Sequence, residues 1–181
     1  MSRLIFFSGG VESTALLCHA GPNDTVITMN HWYPHEVKTY DHTTVEKNAA
    51  HFGLRINYVD IKIPTLPGLY GRDHQIASFI SVAHLWVVKD KSIKEIWSGR
   101  NSAEVPDPTD LSIFKVREHN AWEFAHPNIP FHRPLEHLSK LEQWRLIPDI
   151  VKPLVKTCIY HNNCGHCFKC VEFQQMLTQH D

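Results

Sequence analysis

One stretch decides the fold: Leu4-Ile5-Phe6-Phe7-Ser8-Gly9-Gly10-Val11-Glu12-Ser13-Thr14, followed directly by Ala15-Leu16-Leu17-Cys18. The apolar residues 4–7 predict a buried strand, and the pattern after the glycines predicts a helix over residues 12–19. The glycine pair allows a tight turn and a close backbone approach. A strand, a glycine turn and a helix start in this order are typical of an anion site, because free N–H groups and the helix dipole face the turn.

The polar residues of this loop favour a phosphate or a pyrophosphate as the ligand. Ser8, Ser13 and Thr14 add hydroxyl donors to the backbone amides. A turn in which these hydroxyls only cap the helix is the alternative, but the full string is much rarer than a glycine pair. The loop has neither the lysine of G-x-x-x-x-G-K-[ST] nor the spacing of G-x-G-x-x-G, so it differs from both of those nucleotide loops.

Strand and helix patterns alternate after the loop. Strands are predicted at residues 25–30, 55–60 and 95–98, and helices at residues 37–52, stopped by Gly53, and 76–88. This alternation predicts an α/β fold with a doubly wound, Rossmann-like parallel sheet. Ligands bind such sheets beyond the carboxyl ends of the strands. We therefore expect one shared pocket formed by the loops after Phe7, Asn30, Asp60 and Ser98.

The second half of the chain is interrupted by prolines before it returns to helix. The pattern predicts a helix around residues 110–122, a short extended piece at 129–131 and a helix at 139–147. At 181 residues the chain is predicted to form a single domain over 1–181, which includes a helical C-terminal part at 134–181.

Four of the five cysteines lie close together near the C-terminus, with the spacing C-x5-C-x2-C-x2-C: Cys158, Cys164, Cys167 and Cys170. Four thiolates at this spacing match the tetrahedral set of a structural zinc site, and Gly165 suits the turn between two of them. An iron–sulfur cluster is the main alternative, since four cysteines also hold those. His161 or His166 could replace one thiolate.

The bulk composition excludes some functions. A net charge of −1 argues against a broad nucleic-acid-binding face, so no direct nucleic-acid partner is expected. No apolar run approaches the length that spans a bilayer, and no secretory signal is visible, so no membrane partner is expected. Cysteines grouped for metal rather than for disulfides agree with a cytoplasmic location.

The loop and the cysteine motif together resemble the PP-loop ATP pyrophosphatases, and within them the 7-cyano-7-deazaguanine synthase (QueC-like) branch. Further stretches are similar to that branch: Gly71-Arg72-Asp73 with Ser78-Phe79-Ile80-Ser81-Val82-Ala83, Ile96-Trp97-Ser98-Gly99-Arg100-Asn101, and Pro134-Leu135 with Leu138-Ser139-Lys140. The resemblance covers nearly the whole chain in patches. It implies a PP-loop fold, also called adenine nucleotide alpha hydrolase-like, with a C-terminal zinc-binding segment.

The resemblance also implies a reaction. Members of the branch convert 7-carboxy-7-deazaguanine and ammonia to the nitrile preQ0 in 7-deazaguanine biosynthesis, using ATP and Mg²⁺, and the Zn²⁺ of the cysteine segment has a structural role. The carboxylate forms an acyl-adenylate, ammonia displaces AMP to give an amide, and a second activation dehydrates the amide. The loop holds pyrophosphate as the developing anion, which is electrostatic stabilisation. The family also tends to form homodimers.

Carried onto this chain, the resemblance assigns roles to individual residues. Ser13 and Glu12 are the candidate catalytic residues, with Glu12 assisting Mg²⁺. Arg72 and Arg100 are candidates for phosphate or carboxylate contact, and surface ion pairs are the alternative for both. Asp107 and Asp110 are candidates for reading the heterocycle, with solvated loop acids as the alternative. The candidate nucleotide-binding loop comprises Phe7, Ser8, Gly9, Gly10, Val11, Glu12, Ser13 and Thr14.

The chain departs from the family at positions where substrate is read. Glu12 replaces the usual Asp, Phe173 stands where an Arg usually follows the last cysteine, and His31-Trp32-Tyr33-Pro34-His35 replaces a Tyr-Gly-Gln-Arg-like segment. Two other functions therefore stay open. One is a related protein that acts on another carboxylate or binds a nucleotide as a partner module. The other is tRNA thiolation, which ranks low because Cys18, outside the cluster, fits a buried small hydrophobe.

Overall fold

The computed structural model describes residues 2–32, 42–62, 71–99, 122–123, 125–157 and 164–178. Within them, every strand pairing of the sheet is parallel, in the order β3-β2-β1-β4-β5. The strands are β1 Ser2–Phe6, β2 Thr25–Trp32, β3 Ile56–Lys62, β4 Ile93–Trp97 and β5 Phe131–His132. This order is that of a doubly wound sheet, so the predicted α/β fold class is confirmed.

The helices follow the predicted alternation. They are α1 Val11–Leu17, α2 Thr43–His51, α3 Gly71–Lys89, α4 Lys140–Leu146 and α5 Phe168–Thr178, with a 3-10 turn at Lys152–Leu154. The third helix begins earlier than the predicted residue 76. The predicted helix at 110–122 falls almost wholly outside the described residues.

Both faces of the sheet are covered, which explains the unbroken apolar run at the start of the chain. Val26 and Ile27 are neighbours on β2 and point to opposite faces, and both are fully buried. Val26 packs with residues of α1, α2 and the segment 147–155. Ile27 packs with Val82 and Val87 of α3 and with Trp122. A parallel strand buried on both faces reads as continuously hydrophobic.

Local signals in the sequence fix the ends of two helices. Ser139 precedes α4, and its side chain and that of Glu142 form a reciprocal capping box, with the Ser139 amide donating to Glu142 Oε2 at 2.7 Å. Gly53 follows α2 with φ +69°, the left-handed conformation that ends many helices. In the part of the chain that the structure describes, no helix combines the length and the apolar character needed to cross a bilayer.

Candidate functional site

The glycine loop lies where the order of the strands reverses. The central strand β1 has β2 on one side and β4 on the other, and residues 8–10 follow β1 while Ser98 and Gly99 follow β4. This reversal is where open α/β sheets bind their ligands. A Cβ atom on Gly99 would lie 2.8 Å from the carbonyl carbon and oxygen of Glu12 and from the Ser13 nitrogen. Only glycine therefore lets the end of β4 approach the first turn of α1 so closely.

The loop conformation depends on Gly9. Its φ of +80° lies in the left-handed region that favours glycine. The Gly9 carbonyl accepts a hydrogen bond from the Lys156 amide at 2.7 Å, and an added Cβ would stand 3.2 Å from Val45 Cγ2. The backbone at Lys156 and the side chain from α2 therefore support the loop.

Two serine hydroxyls form the polar centre of the loop. Ser13 Oγ accepts from the Ser8 amide at 3.1 Å, lies 3.1 Å from Ser8 Oγ, and donates to the Gly10 carbonyl at 3.2 Å. A hydroxyl has one proton, so the Ser8 hydroxyl is the donor in the pair of serines. Ser13 is buried and Ser8 is exposed. Ser13 thus shapes the loop from within, while Ser8 presents a hydroxyl at its surface.

The remaining apolar and hydroxyl residues of the predicted loop lie beneath it. Phe7, Val11 and Thr14 are each 2% exposed or less. Thr14 Oγ1 accepts a 3.1 Å hydrogen bond from Asn48 Nδ2 of α2, and the Phe7 carbonyl accepts from Thr28 Oγ1 at 2.8 Å. In this structure these three residues anchor the loop to the sheet and to α2.

Glu12 points at a lysine that the sequence did not single out as a site residue. Its Oε1 lies 3.3 Å from Lys140 Nζ, and both side chains are about 85% buried, with exposed fractions of 16% and 14%. Glu12 Oε2 lies 3.5 Å from the place of a Cβ on Gly10, so the carboxylate stands against the loop. The signal for Lys140 was its place in the Leu138-Ser139-Lys140 segment, which resembles the synthase branch.

A second polar group lies at the carboxyl ends of β2 and β3, beside the start of α2. Asn30 is buried, and its Nδ2 donates to Asp60 Oδ1 at 2.8 Å and lies 3.4 Å from His42 Nε2. The His42 ring lies 4.0 Å from that of Tyr58, whose hydroxyl donates to Glu46 at 3.1 Å. Burial and the Glu46 carboxylate both raise the pKa of Tyr58. Asn30 and Asp60 are in-register partners within β2 and β3. The loops that follow these strands lie outside the described residues, so their convergence stays a prediction.

Three of the four predicted metal ligands come together. The Sγ atoms of Cys164, Cys167 and Cys170 all lie within 4.8 Å of one another, and the last two thiols are buried. Gly165, at φ +79°, makes the turn, and the Cys167 amide donates to Cys164 Sγ at 3.4 Å. Sulfurs around one zinc ion lie about 3.8 Å apart, from Zn–S bonds of about 2.3 Å. The three thiols therefore fit a metal ion after a small contraction.

Several predicted residues fall outside the described part of the chain: Arg100, Asp107, Asp110, Cys158 and the side chain of Arg72. Cys18 is described and is half-buried. Its thiol approaches the carbonyl oxygens of Thr14 and Leu146 at 3.8 and 3.5 Å, and burial raises its pKa. These contacts agree with a packing role for Cys18.

The sheet order and the loop at the strand reversal define a doubly wound α/β fold. Among solved structures, the chain is similar to the U34-tRNA thiolase NcsA from Methanococcus maripaludis, which holds a [4Fe–4S] cluster. The TM-score is 0.54 at 12% sequence identity, over 99% of this chain and 66% of the thiolase. The chain thus spans about two thirds of the thiolase's length, and the likeness concerns the fold. The sequence matches no protein-family model and none of the curated proteins.

Proposed function

We propose that this protein is an ATP-dependent carbon–nitrogen ligase that activates a carboxylate by adenylation, with 7-carboxy-7-deazaguanine and ammonia as its substrates and preQ0 as its product. The observation that carries the proposal is the glycine loop at the strand reversal, with Gly99 packed against the peptide that joins Glu12 and Ser13. A site built this tightly around one backbone turn suits a compact polyanion such as pyrophosphate.

The proposed chemistry needs few acid–base groups. A carboxylate oxygen attacks the α-phosphorus of ATP and pyrophosphate leaves. The acyl-adenylate forms in this step without a change in the oxidation state of the carboxyl carbon. Ammonia then adds to that carbon, loses a proton and expels AMP. Activation of the amide oxygen by a second nucleotide, followed by loss of two protons and that oxygen as part of the leaving group, gives the nitrile. Negative charge grows on the leaving phosphates in each activation. Loop amides stabilise it, together with the exposed Ser8 hydroxyl once that hydroxyl turns from Ser13 Oγ to the phosphate.

Glu12 and Lys140 fit this scheme as a charge pair beside the loop. The carboxylate of Glu12 offers oxygen ligands of the kind that Mg²⁺ prefers, and magnesium supplies charge neutralisation to nucleotide phosphates when it is bound. Glutamate is one methylene longer than the family's aspartate, and the pairing with Lys140 at 3.3 Å fixes where its longer arm ends. The pair therefore supports a role for Glu12 in spite of the substitution.

The cysteine cluster is proposed to hold zinc in a structural role. Its thiols lie within 4.8 Å of one another, which suits a single ion. In a [4Fe–4S] cluster each cysteine binds a different iron, which spreads the sulfurs farther apart. A zinc ion with four cysteine ligands has no open coordination position for water, which is typical of a structural site. The free energy of metal binding at such a site contributes to folding.

The test is AMP release from Mg-ATP and ammonia, with and without 7-carboxy-7-deazaguanine, with the product identified by mass. We expect AMP only when the carboxylate is present, together with the nitrile mass. AMP with the amide mass alone would limit the function to the first activation. Absence of AMP from metal-loaded protein would overturn the proposal.

Two alanine variants sharpen the test. Gly10→Ala places a methyl group 3.5 Å from Ser8 Oγ and Glu12 Oε2, at ordinary contact distance, so the fold should survive while the loop surface is filled. Gly21→Ala is the matched control, since its nearest neighbours are also at ordinary distances and belong to Arg3 and Asp24. We expect AMP formation to fall at least about tenfold in Gly10→Ala and further with Ser13→Ala added. Full activity in that double variant would refute the assignment of the loop.

A second candidate function is sulfur transfer to tRNA. It is favoured by the likeness in fold to a tRNA thiolase that holds a [4Fe–4S] cluster, together with three clustered thiols in this chain. This function predicts iron and sulfide in the purified protein and AMP release that depends on tRNA rather than on the deazaguanine acid. One zinc per chain and no response to tRNA would remove it.

A further inference from the structure

The cysteine segment is linked to the glycine loop through intervening residues, in two chains of contacts and with the support of one ring contact. Lys140 Nζ, which lies 3.3 Å from Glu12 Oε1, also lies 3.6 Å from Glu172 Oε2. Glu172 follows the cluster residue Cys170 by two positions on α5. Lys140 therefore bridges a carboxylate of the loop and a carboxylate of the helix that carries a metal ligand.

A second connection runs through the backbone. The Lys156 amide donates to the Gly9 carbonyl at 2.7 Å. The carbonyl oxygen of the following residue, Thr157, lies 3.8 Å from Cys170 Sγ. An added Cβ on Gly10 would also lie 3.8 Å from the Lys156 carbonyl oxygen. Gly9 of the loop and the buried thiol of Cys170 are thus contacted by two successive residues, Lys156 and Thr157.

The third connection is a ring contact between α4 and α5. Trp144 and Phe173 meet edge to face, with ring centroids 4.8 Å apart. Phe173 stands where the synthase branch usually has an arginine, so this chain places an apolar anchor there. Aromatic pairs of this geometry add stability beyond the area they bury. The ring contact keeps α5 against the helix that begins with Lys140.

We propose that Lys140 is a positioning residue, which fixes the Glu12 carboxylate against the loop and makes its position depend on the metal-bound state of the cysteine segment. The proposal rests on the proposed function, since Glu12 matters through the nucleotide and its magnesium. Of the two ion pairs that Lys140 forms, the pair with Glu12 is the more buried. The side chains of Lys140 and Glu12 are only 14% and 16% exposed, while that of Glu172 is 50% exposed. A partly buried pair holds its geometry far better than a solvated one.

The first experiment follows amide hydrogen exchange in the nucleotide-free, metal-loaded protein before and after chelation. We expect faster exchange in peptides covering residues 8–14 once the metal is removed, and unchanged protection at residues 82–89 on the opposite face of the sheet. Lys140→Met, which keeps all cluster cysteines, should retain its metal and still show faster exchange in residues 8–14. Unchanged exchange in the loop, or equal loss of protection at 82–89, would overturn the linkage.

The second experiment separates positioning from simple stability. Mg-ATP affinity should fall about tenfold in Lys140→Met, within the range of ordinary coupling between sites. Lys140→Arg should restore most of it, and Lys89→Met, which removes an exposed lysine of α3 on the opposite face of the sheet, should leave it unchanged. If Lys140 acts through Glu12, the double variant Glu12→Gln with Lys140→Met should bind Mg-ATP as tightly as Glu12→Gln alone. Losses of Mg-ATP affinity that add up in the double variant would refute the role.

The two experiments also distinguish the two proposals. Hydrogen exchange needs no nucleotide, so a metal-dependent loop in a protein that binds no ATP would refute the ligase function and leave the structural linkage standing. ATP binding that ignores both chelation and Lys140→Met would support the function and refute the linkage.

Discussion

Gly99 packs directly against the peptide bond between Glu12 and its neighbour, so that a Cβ atom on Gly99 would lie 2.8 Å from the Glu12 carbonyl oxygen. The atoms in the way are backbone atoms, which cannot rotate aside as a side chain can. Any larger residue at 99 must therefore move either the end of β4 or the first turn of α1. Both moves displace the glycine loop.

Gly99→Ala should for this reason impair ligand binding more than it impairs folding. Forced overpacking typically costs about 1–3 kcal/mol, so we expect a lower melting temperature with the circular dichroism spectrum retained. Affinity for Mg-ATP, measured by calorimetry, should fall by more than the stability loss explains, because the strain falls on the loop itself. Normal ATP affinity in a folded Gly99→Ala protein would contradict this role of the contact.

Thr14→Val tests the anchor beneath the loop. Thr14 and Asn48 are both completely buried, and the valine would leave Asn48 Nδ2 without the hydroxyl to which it donates at 3.1 Å. Leaving a buried donor unpaired costs about 1–3 kcal/mol, which denaturant unfolding can measure. Thr178→Val is the control, because that hydroxyl is exposed at the end of α5. Equal stability of the two variants would refute the anchoring role.

The parts of the fold that depend on local chemistry could be predicted from the sequence. The run of apolar residues before Ser8 predicted a buried strand, and a helix was predicted to begin at Ser139, which in the structure caps α4 together with Glu142. Gly53 ends α2 as the sequence predicted, and in the structure it adopts the left-handed conformation. Each of these signals depends on a few neighbouring residues, so it can be recognised in a single sequence.

The parts that depend on distant contacts could not be predicted. Nothing local to Lys140 indicates that it meets Glu12, since 128 positions separate the two residues, from 12 to 140. The closeness of Gly99 to α1 likewise depends on β4 pairing with β1. The extended piece predicted at 129–131 overlaps β5 at Phe131, but two residues have no periodic pattern that would indicate pairing with β4.

Asp24→Asn tests the opposite, amino-terminal edge of the sheet. Arg3 donates to Asp24 from its Nε and Nη2 atoms and from its amide, with a shortest distance of 2.6 Å, and its guanidinium lies 4.1 Å over the Trp97 ring. Burial raises the pKa of Asp24, but the hydrogen bonds from Arg3 and Gly21 outweigh it, so that the pKa is lowered overall. We expect Asp24→Asn to lower the free energy of unfolding near neutral pH by about 2 kcal/mol, typical of bonds to a charged group.

The pH dependence of that loss has a definite sign. Because the folded pKa of Asp24 lies below its unfolded value, its stabilisation is fully present above the unfolded pKa and is lost as pH falls through the folded pKa. The gap between wild type and Asp24→Asn should therefore be constant at neutral pH and close below about pH 4. Asp149→Asn, whose carboxylate is exposed, should change stability little at any pH. A gap that persists unchanged into strong acid would refute the assignment.

Cys167→Ser tests whether the clustered thiols hold a metal that the fold needs. Cys167 is buried, and its Sγ lies within 4.8 Å of the two other described cluster thiols, so a serine there removes a ligand from the centre of the group. Plasma emission spectrometry should find one zinc per chain in the wild type and much less in the variant. Because metal binding to such sites is folding energy, the C-terminal helix should lose protection against proteolysis as the metal is lost.

The control for this variant is Cys18→Ser, which alters the cysteine outside the cluster. Because Cys18 is not one of the clustered cysteines, the metal content of Cys18→Ser should stay at the wild-type level. Burial raises the pKa of Cys18, so its thiol should react slowly. Thiol labelling gives a second measurement: cluster cysteines should label only after chelation, since thiolates bound to metal are protected. Fast labelling of the cluster in untreated protein, with no zinc or iron present, would show that the three thiols are close without binding a metal.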